Sequence, residues 1–235
     1  MSPLNRSAPG PFHPVELPGV EFCYDAERLA NQPADGASIG TWADCSGRGR
    51  HLAAVGGANP VYVDRHASYR QRPAIDFQAV DALQVAFGVT LSQPMFYAAV
   101  GAFDVTGGDR FMFDGGSGGE PNRNAFFGDS GTPKHFDMYA GASLNPTTMD
   151  TNPHVFSLLF NSTTSQYWID GTAQTAGNAG TEPTAGLSLG ATTSGTSNFL
   201  DGQIAFLVGL NYIPATDVRR RLEAWLGQRY GITVT

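Results

Sequence analysis

The sequence has few charged residues and little basic charge. Only 15% of its 235 residues are charged, and the formal net charge at pH 7 is −7. Nucleic-acid binders usually carry a basic stripe, so this balance excludes nucleic acid as an expected partner. No apolar run approaches the length of a membrane span, and the N-terminal residues lack the apolar core of a signal peptide. We therefore expect synthesis in the cytoplasm and no membrane insertion.

Cysteine and histidine are scarce as well. Cys23 and Cys45 lie in neighbouring strand-like stretches and could form a disulfide, but without an export signal two buried thiols are the expected state. Two cysteines without clustered histidines do not make a zinc site. The five histidines show no ligand spacing, so we expect no cofactor, with calcium as the one alternative.

Helical periodicity occurs in only one segment, residues 214–229. Its apolar stripe has i, i+4, i+7 and i+8 spacing and consists of Val218, Leu222, Trp225 and Leu226. The opposite face is predicted to carry Arg219, Arg220, Glu223 and Gln228. Pro214 occupies the predicted cap, and Gly231 follows the last periodic residue as the expected left-handed C-cap.

Strand-like runs between turn signals make up most of the remaining chain. They cover residues 20–24, 51–55, 60–63, 74–77, 83–87, 95–103, 110–113, 125–127, 135–139, 155–160, 166–169, 186–189 and 203–209. Asp170-Gly171 predicts a two-residue hairpin turn. Five prolines in residues 1–19 predict an extended arm that forms no helix and precedes one sandwich domain at 20–235.

Several short motifs follow one another along residues 20–235. They are Trp42-Ala-Asp44-Cys-Ser46-Gly47, Arg72-Pro-Ala-Ile-Asp76-Phe77, Tyr167-Trp-Ile-Asp170-Gly171 and Asp201-Gly202 through Tyr230-Gly231. In this order the chain resembles the laminin-G-like, concanavalin A-like jelly-roll domains of bacterial surface proteins and tailed-phage virion proteins. The resemblance implies an all-β, two-sheet antiparallel sandwich with one C-terminal helix. That fold hosts lectins, adhesion modules, glycan-cleaving enzymes and virion scaffolds, so it does not decide function.

Catalytic patterns are weak. A glycosidase needs two carboxylates about 5–9 Å apart, which on a sandwich usually alternate along one strand. The six glutamates are scattered, and no strand carries such a pair. In Gly128-Asp129-Ser130-Gly131 a nucleophilic Ser130 would need a positioned histidine base, and the sequence fits an ordinary turn better.

The glycine-rich segment 114–122 is the most distinctive loop. Asp114, Asn122 and Asp129 form the nearest oxygen-rich set, and they are the candidate ligands of a calcium ion. A sugar would need an aromatic ring for stacking together with planar donors and acceptors. The candidate ligand-binding residues are Asp114, Asn122, Arg123, Asp129 and Tyr139.

These observations predict a non-enzymatic structural or attachment protein of a phage virion, in capsid decoration or in the tail. The arm at 1–19 would contact other virion subunits, so an oligomer or an assembly-bound chain located in the virion is expected, with a host-surface glycan as a further ligand. A free carbohydrate-binding module of a bacterial protein is the alternative. A serine hydrolase using Ser130 is the third hypothesis.

Overall fold

A computed structural model describes residues 12–29, 31–56, 58–119 and 121–235. Within these ranges the chain forms sixteen strands and one α-helix, α1, at Thr216–Tyr230. The first eight strands are β1 Val20–Asp25, β2 Thr41–Trp42, β3 Leu52–Val55, β4 Val61–His66, β5 Arg72–Gln78, β6 Ala82–Leu91, β7 Met95–Phe103 and β8 Arg110–Asp114. The others are β9 Ala125–Gly128, β10 His135–Tyr139, β11 Ser143–Thr148, β12 His154–Phe160, β13 Ser165–Ile169, β14 Thr172–Gly177, β15 Thr184–Leu189 and β16 Asp201–Leu210.

These strands form two antiparallel sheets of eight strands each. In the first sheet the order is β14-β13-β12-β7-β16-β5-β4, with β1 beside β16. In the second sheet it is β11-β10-β9-β8-β15-β6-β3-β2. Every pairing between these strands is antiparallel. The predicted all-β, two-sheet sandwich with a single C-terminal helix is therefore confirmed.

The core between the sheets consists largely of aromatic rings. It forms because alternate residues of each strand point to the same side, so that in β10 Phe136 and Met138 are buried among core residues of both sheets. Tyr97 of the first sheet stacks on Phe113 of the second at 4.9 Å between ring centroids. Burying one such side chain contributes roughly 1.5–3 kcal/mol.

Helix α1 covers the outward side of the first sheet. Leu222, Leu226 and Tyr230 join a second apolar cluster with Phe206 and Val208 of β16. The central strands of this sheet are therefore buried on both sides, and β16 is buried along almost its whole length rather than at alternate residues. No helix in the described part of the chain is long and apolar enough to span a bilayer.

Two helix residues are buried although the sequence predicted them on the exposed face of α1. Arg219 and Glu223 were expected on the exposed face, but they are 7% and 0% exposed. Arg219 Nη1 lies 2.6 Å from Glu223 Oε2, and its guanidinium stacks 4.2 Å from the Trp168 ring. The two charges neutralise each other, which is why both residues tolerate burial beside β13.

The N-terminus of α1 differs from the sequence prediction, whereas its C-terminus agrees with it. The helix begins after Ala215, which makes no side-chain cap, rather than at Pro214. Gly231 has the predicted left-handed backbone, with φ of 76°, and its N–H donates to the Gly227 carbonyl. The hairpin turn at Asp170-Gly171 is also confirmed, since both residues have positive φ between β13 and β14.

Three strands were not predicted, namely β2, β11 and β14, and each lies at the edge of its sheet. Edge strands carry fewer apolar residues because only part of their surface is covered. Of the predicted arm, residues 1–11 lie outside the described residues. Pro14–Glu16 forms one 3₁₀ turn rather than extended chain, and the Phe12 ring packs edge-on against Trp225. Cys23 and Cys45 are free thiols.

Candidate functional site

The candidate site lies on the outward side of the second sheet, which we call the open face. Because directly paired residues of an antiparallel sheet share a side, the pairing of Phe111 with Phe127 and of Phe127 with Asp137 places these three residues together. Tyr139 lies on the same side, two residues beyond Asp137 in β10. The open face therefore combines aromatic rings with a carboxylate.

Three rings form what we call the ring platform: Phe111, Phe127 and Tyr139. Phe111 and Phe127 stack with centroids 4.4 Å apart and ring planes at 11°. The guanidinium of Arg123 lies 5.3 Å from the Phe111 ring centre and 5.2 Å from that of Tyr139. Phe127 and Tyr139 stay partly exposed. The platform thus offers apolar ring surface to solvent beside a cation.

Asp114 holds Arg123 in this position. The Arg123 Nε lies 3.0 Å and its Nη2 2.9 Å from Oδ2 of Asp114, and the Thr193 backbone N–H donates to the same oxygen. Asp114 is fully buried. Burial raises the pKa of Asp114, although the hydrogen bond and the charge of Arg123 oppose the shift. The pair fixes the guanidinium with little freedom to rotate.

An open pocket of about 490 Å³ lies next to the platform. It is lined by Ala86, Gly88, Val89, Thr90, Ser117, Gly118, Asn122 and Ala185. These residues belong to β6, to β15 and to the glycine-rich segment 114–122. Gln84 of β6 accepts a hydrogen bond from the Gly118 backbone N–H, so the segment is attached to the sheet beside the pocket.

Two further carboxylates come together on the β9–β10 hairpin. Asn145 Nδ2 lies 3.4 Å from Asp129 Oδ2 and 3.4 Å from Asp137 Oδ2. The Leu144 backbone N–H donates to Asp137, and the His135 backbone N–H donates to Asp129. Burial raises the pKa of Asp137 to about 6. Asp137 therefore takes up a proton at a higher pH than an ordinary aspartate does.

Glu182 adds a fourth acidic group close to the platform. Its backbone N–H donates to the carbonyl of Ala140, the residue after Tyr139. Burial raises the pKa of Glu182, and the nearby charge of Arg123 opposes the shift. Arg123 therefore has acidic neighbours in both Asp114 and Glu182.

The structure brings part of the predicted set together. Asp114, Arg123 and Tyr139 are in contact through the guanidinium, and Asn122 lines the neighbouring pocket. Asp129 instead lies near Asp137. The sequence analysis did not select Asp137, Phe111, Phe127 or Glu182 as site residues. The sequence did contain a pattern that points to Asp137, because His135, Asp137 and Tyr139 alternate with the apolar Phe136 and Met138 along β10. This alternation predicts that the first three residues share the outward side of the strand.

The calcium interpretation stays a prediction. Asp114 is engaged by Arg123, and Asp129 accepts hydrogen bonds from backbone N–H groups of its own turn. In the ranges that the structure describes, no group of three or more His, Cys, Asp or Glu side chains is placed to hold a metal ion. Any calcium site at these residues would need backbone and amide oxygens in addition to one or two carboxylates.

Ser130 lies in the turn between β9 and β10. Its backbone N–H donates to Asp109 at 2.7 Å, and its carbonyl accepts from Lys134 Nζ at 2.6 Å. The nearest histidine in the chain, His135, faces Asp129, with Nδ1 3.4 Å from Oδ2. The hypothesis of a serine hydrolase thus gains no support from this geometry.

No protein-family model and no curated protein matches the chain. Three similar solved structures illustrate the structural comparison. A sialidase from Trypanosoma rangeli has a TM-score of 0.57 and 13% identity, over 91% of this chain and 33% of that one. Domain 4 of AbnA, a GH43 extracellular arabinanase from Geobacillus stearothermophilus in complex with arabinotriose, has a TM-score of 0.59 and 11% identity, over 90% and 98%. A GH54 α-L-arabinofuranosidase soaked with 4-nitrophenyl α-L-arabinofuranoside has a TM-score of 0.61 and 10% identity, over 82% and 51%.

The chain thus spans about a third of the sialidase and nearly all of the arabinanase domain. At this identity the similarities establish a shared β-sandwich fold. They do not support the narrower laminin-G-like or phage assignment.

The interpretation as a non-enzymatic structural protein of a phage virion is contradicted by these comparisons. The similar proteins are by name a sialidase, an arabinanase and an arabinofuranosidase, which act on carbohydrate. The expectation that the chain is not an enzyme is contradicted by the same finding. That expectation was based on the lack of two acidic residues on any one strand. Asp129 and Asp137 of the β9–β10 hairpin instead lie on either side of Asn145. The virion location and the contacts of an arm at 1–19 stay predictions that depended on the phage interpretation.

Proposed function

We propose that the protein is a carbohydrate-active β-sandwich that binds carbohydrate on the open face. The observation that carries this proposal is the partly exposed pair of rings, Phe127 and Tyr139, beside the fixed guanidinium of Arg123. Sugar rings have apolar faces that stack on aromatic side chains and hydroxyls that need planar donors and acceptors. The similarity to an arabinanase domain in complex with arabinotriose supports the proposal.

The donors and acceptors are fixed before a ligand arrives. Asp114 holds Arg123, and Asn145 lies between Asp129 and Asp137. A site whose polar groups are already oriented loses less conformational entropy on binding. The open face is also the only outward sheet side that α1 leaves uncovered in the described part of the chain.

Calorimetric titration of the full chain with arabinotriose and with a panel of other oligosaccharides tests the proposal. Tyr139→Ala and Phe127→Ala should each weaken binding roughly threefold to tenfold, because each removes one stacked contact. Arg220→Ala, exposed on α1 at the opposite side of the sandwich, is the matched control and should bind normally. Absence of binding to every oligosaccharide, or binding that neither ring variant weakens, would contradict the proposal.

Hydrolysis of a glycosidic bond is a second candidate function. It is favoured by the two carboxylates that flank Asn145, since glycosidases use two such groups about 5–9 Å apart. Asp137, with its pKa raised by burial to about 6, suits the acid that protonates the leaving oxygen. Asp129 would then act as the nucleophile or as the base for the one water consumed per bond cleaved.

Release of reducing sugar from arabinan and from neutral oligosaccharides measures this activity. Asp137→Asn and Asp129→Asn should each abolish it, and both variants should still bind oligosaccharide through the ring platform. Activity that survives both substitutions would exclude the pair as the catalytic groups.

We also keep the concanavalin A-like jelly-roll type as a proposal for the fold. Its support is the motif order along residues 20–235 and the position of a single helix after the last strand.

A further inference from the structure

We infer that the ligand of the open face is a neutral oligosaccharide that extends across the strands, from the ring platform to the neighbouring pocket. The inference rests on the proposed carbohydrate binding and names the class of carbohydrate. Three features carry it: the width of the site, its continuity and its charge.

The two parts of the site lie on different strands. Tyr139 and Phe127 belong to β10 and β9, whereas the pocket is lined from β15, β6 and the segment 114–122. The order β10-β9-β8-β15-β6 separates the outer strands by four spacings, which at roughly 4.8 Å each amounts to about 19 Å. A single sugar ring on the platform would leave the pocket empty, so a ligand that uses both parts must be an oligosaccharide.

Consecutive residues connect the two parts. Asn122 lines the pocket, and Arg123 lies against the Tyr139 ring. Asp114 takes the Nε and Nη2 side of the guanidinium. Because a guanidinium has five N–H donors, Arg123 keeps donors for hydroxyl groups of a chain that passes over it. Ser117 and Thr90 supply hydroxyls at the pocket end.

The charges of the open face favour a neutral ligand. Carboxylates are contributed by Asp129 and Glu182, which are partly exposed, and by Asp114 and Asp137, which are buried. Arg123 is the cation among them, and Asp114 already neutralises it. Lys134 donates to the Ser130 carbonyl in the turn beyond β9. A uronic or sialic acid would bring another carboxylate toward these groups, and like charges in contact repel.

Titration of the full chain with two series of oligosaccharides tests the inference. The first series contains neutral arabino- and galacto-oligosaccharides of increasing length, and the second contains oligogalacturonides and sialylated oligosaccharides of matched lengths. We expect affinity in the neutral series to rise about tenfold or more from the monosaccharide to the longer members, since a second contact region is gained. The acidic series should bind more weakly at every length.

Two variants examine the two ends of the site separately. Tyr139→Ala at the platform and Asn122→Ala at the pocket should both weaken the longest neutral ligand by roughly threefold or more. Only Tyr139→Ala should weaken the shortest ligand that binds, and Arg220→Ala should change neither.

The outcomes separate the inference from the proposed function. Equal affinity for the shortest and longest neutral ligands, or acidic ligands that bind as tightly as neutral ones, would overturn the inference and leave carbohydrate binding intact. Failure of both series to bind would overturn both.

Discussion

Asp114 and Arg123 form a two-point ion pair that holds the guanidinium between the Phe111 and Tyr139 rings. The carboxylate is fully buried, whereas the arginine side chain is 28% exposed. One partner therefore anchors the pair in the protein, and the other presents the anchored charge at the surface. The candidate site is organised around this contact.

Removal of the anchoring carboxylate should cost stability as well as binding. Asp114→Asn leaves Arg123 without its counter-charge and should lower the free energy of unfolding by about 3 kcal/mol. Loss of one partner of a buried ion pair costs about 3–5 kcal/mol, and we expect the lower value because Arg123 is partly exposed. Urea unfolding measures the difference. Arg65, in an exposed pair with Asp64, provides the control, and Arg65→Ala should leave the unfolding midpoint almost unchanged. Equal midpoints for Asp114→Asn and the wild-type protein would contradict this account.

The buried pair on α1 makes a second prediction. Glu223→Ala leaves Arg219 charged and unpaired against Trp168, and should destabilise the protein by about 3–5 kcal/mol. Replacement of both residues by apolar ones, Arg219→Met with Glu223→Leu, should recover most of that loss. Thermal unfolding followed by circular dichroism compares the three proteins. A double variant as unstable as Glu223→Ala would show that the pair contributes more than charge neutralisation.

His154 makes stability depend on pH. Its Nδ1 lies 2.6 Å from Asp170 and its Nε2 3.0 Å from Asp150. Burial alone would lower the pKa of His154, but the hydrogen bonds to Asp170 and Asp150 outweigh it and raise the pKa. The contribution of the protonated ring is thus fully present below the unfolded pKa of about 6.5 and is lost as pH rises through the higher folded value.

Comparison of wild-type protein with His154→Gln isolates this contribution. The difference in unfolding free energy should be largest below the unfolded pKa of about 6.5 and should shrink as pH rises through the higher folded pKa. Arg65→Gln, which removes an exposed ion pair with Asp64 and leaves every histidine in place, is the control and should keep the wild-type pH dependence. A difference that grows with pH would reverse the sign of the argument.

The second candidate function carries its own pH dependence. Because burial raises the pKa of Asp137 to about 6, the protonated acid is lost as pH rises through that value. Glycoside cleavage should therefore decline above about pH 6, and binding should not follow the same curve. Rates on arabinan across this range, with calorimetry at the same pH values, provide the measurement. Cleavage that stays constant well above pH 6 would argue against Asp137 as the acid.

The sequence predicted the fold better than the site, for physical reasons. Alternation along strands such as β10 and the periodicity of Leu222 and Leu226 report burial, which is a local property of each element. The burial of Arg219 could not be predicted in this way, because it depends on Trp168 of β13, which is distant in the sequence. Edge strand β11 was missed since it alternates weakly and pairs with only one neighbour.

The candidate site depends on pairings that are distant in sequence or cross a turn. Asp114, Arg123 and Tyr139 were selected from their residue types in and near the glycine-rich segment, and their contact follows from the β8–β9–β10 order. Asp137 was missed because its partner Asp129 lies beyond the end of β9 rather than on the same strand. A search for acids across a hairpin, as well as along a strand, would have found the pair.

Helix α1 makes the two sides of this molecule unequal, which has a practical use. Once the partly buried Cys45 is replaced by serine, a sensor chip or affinity resin that holds the protein through a cysteine introduced at Arg220, exposed on that helix, would turn the ring platform toward the liquid. Every immobilised copy would then face the analyte in the same orientation, without a spacer and without loss of accessible surface.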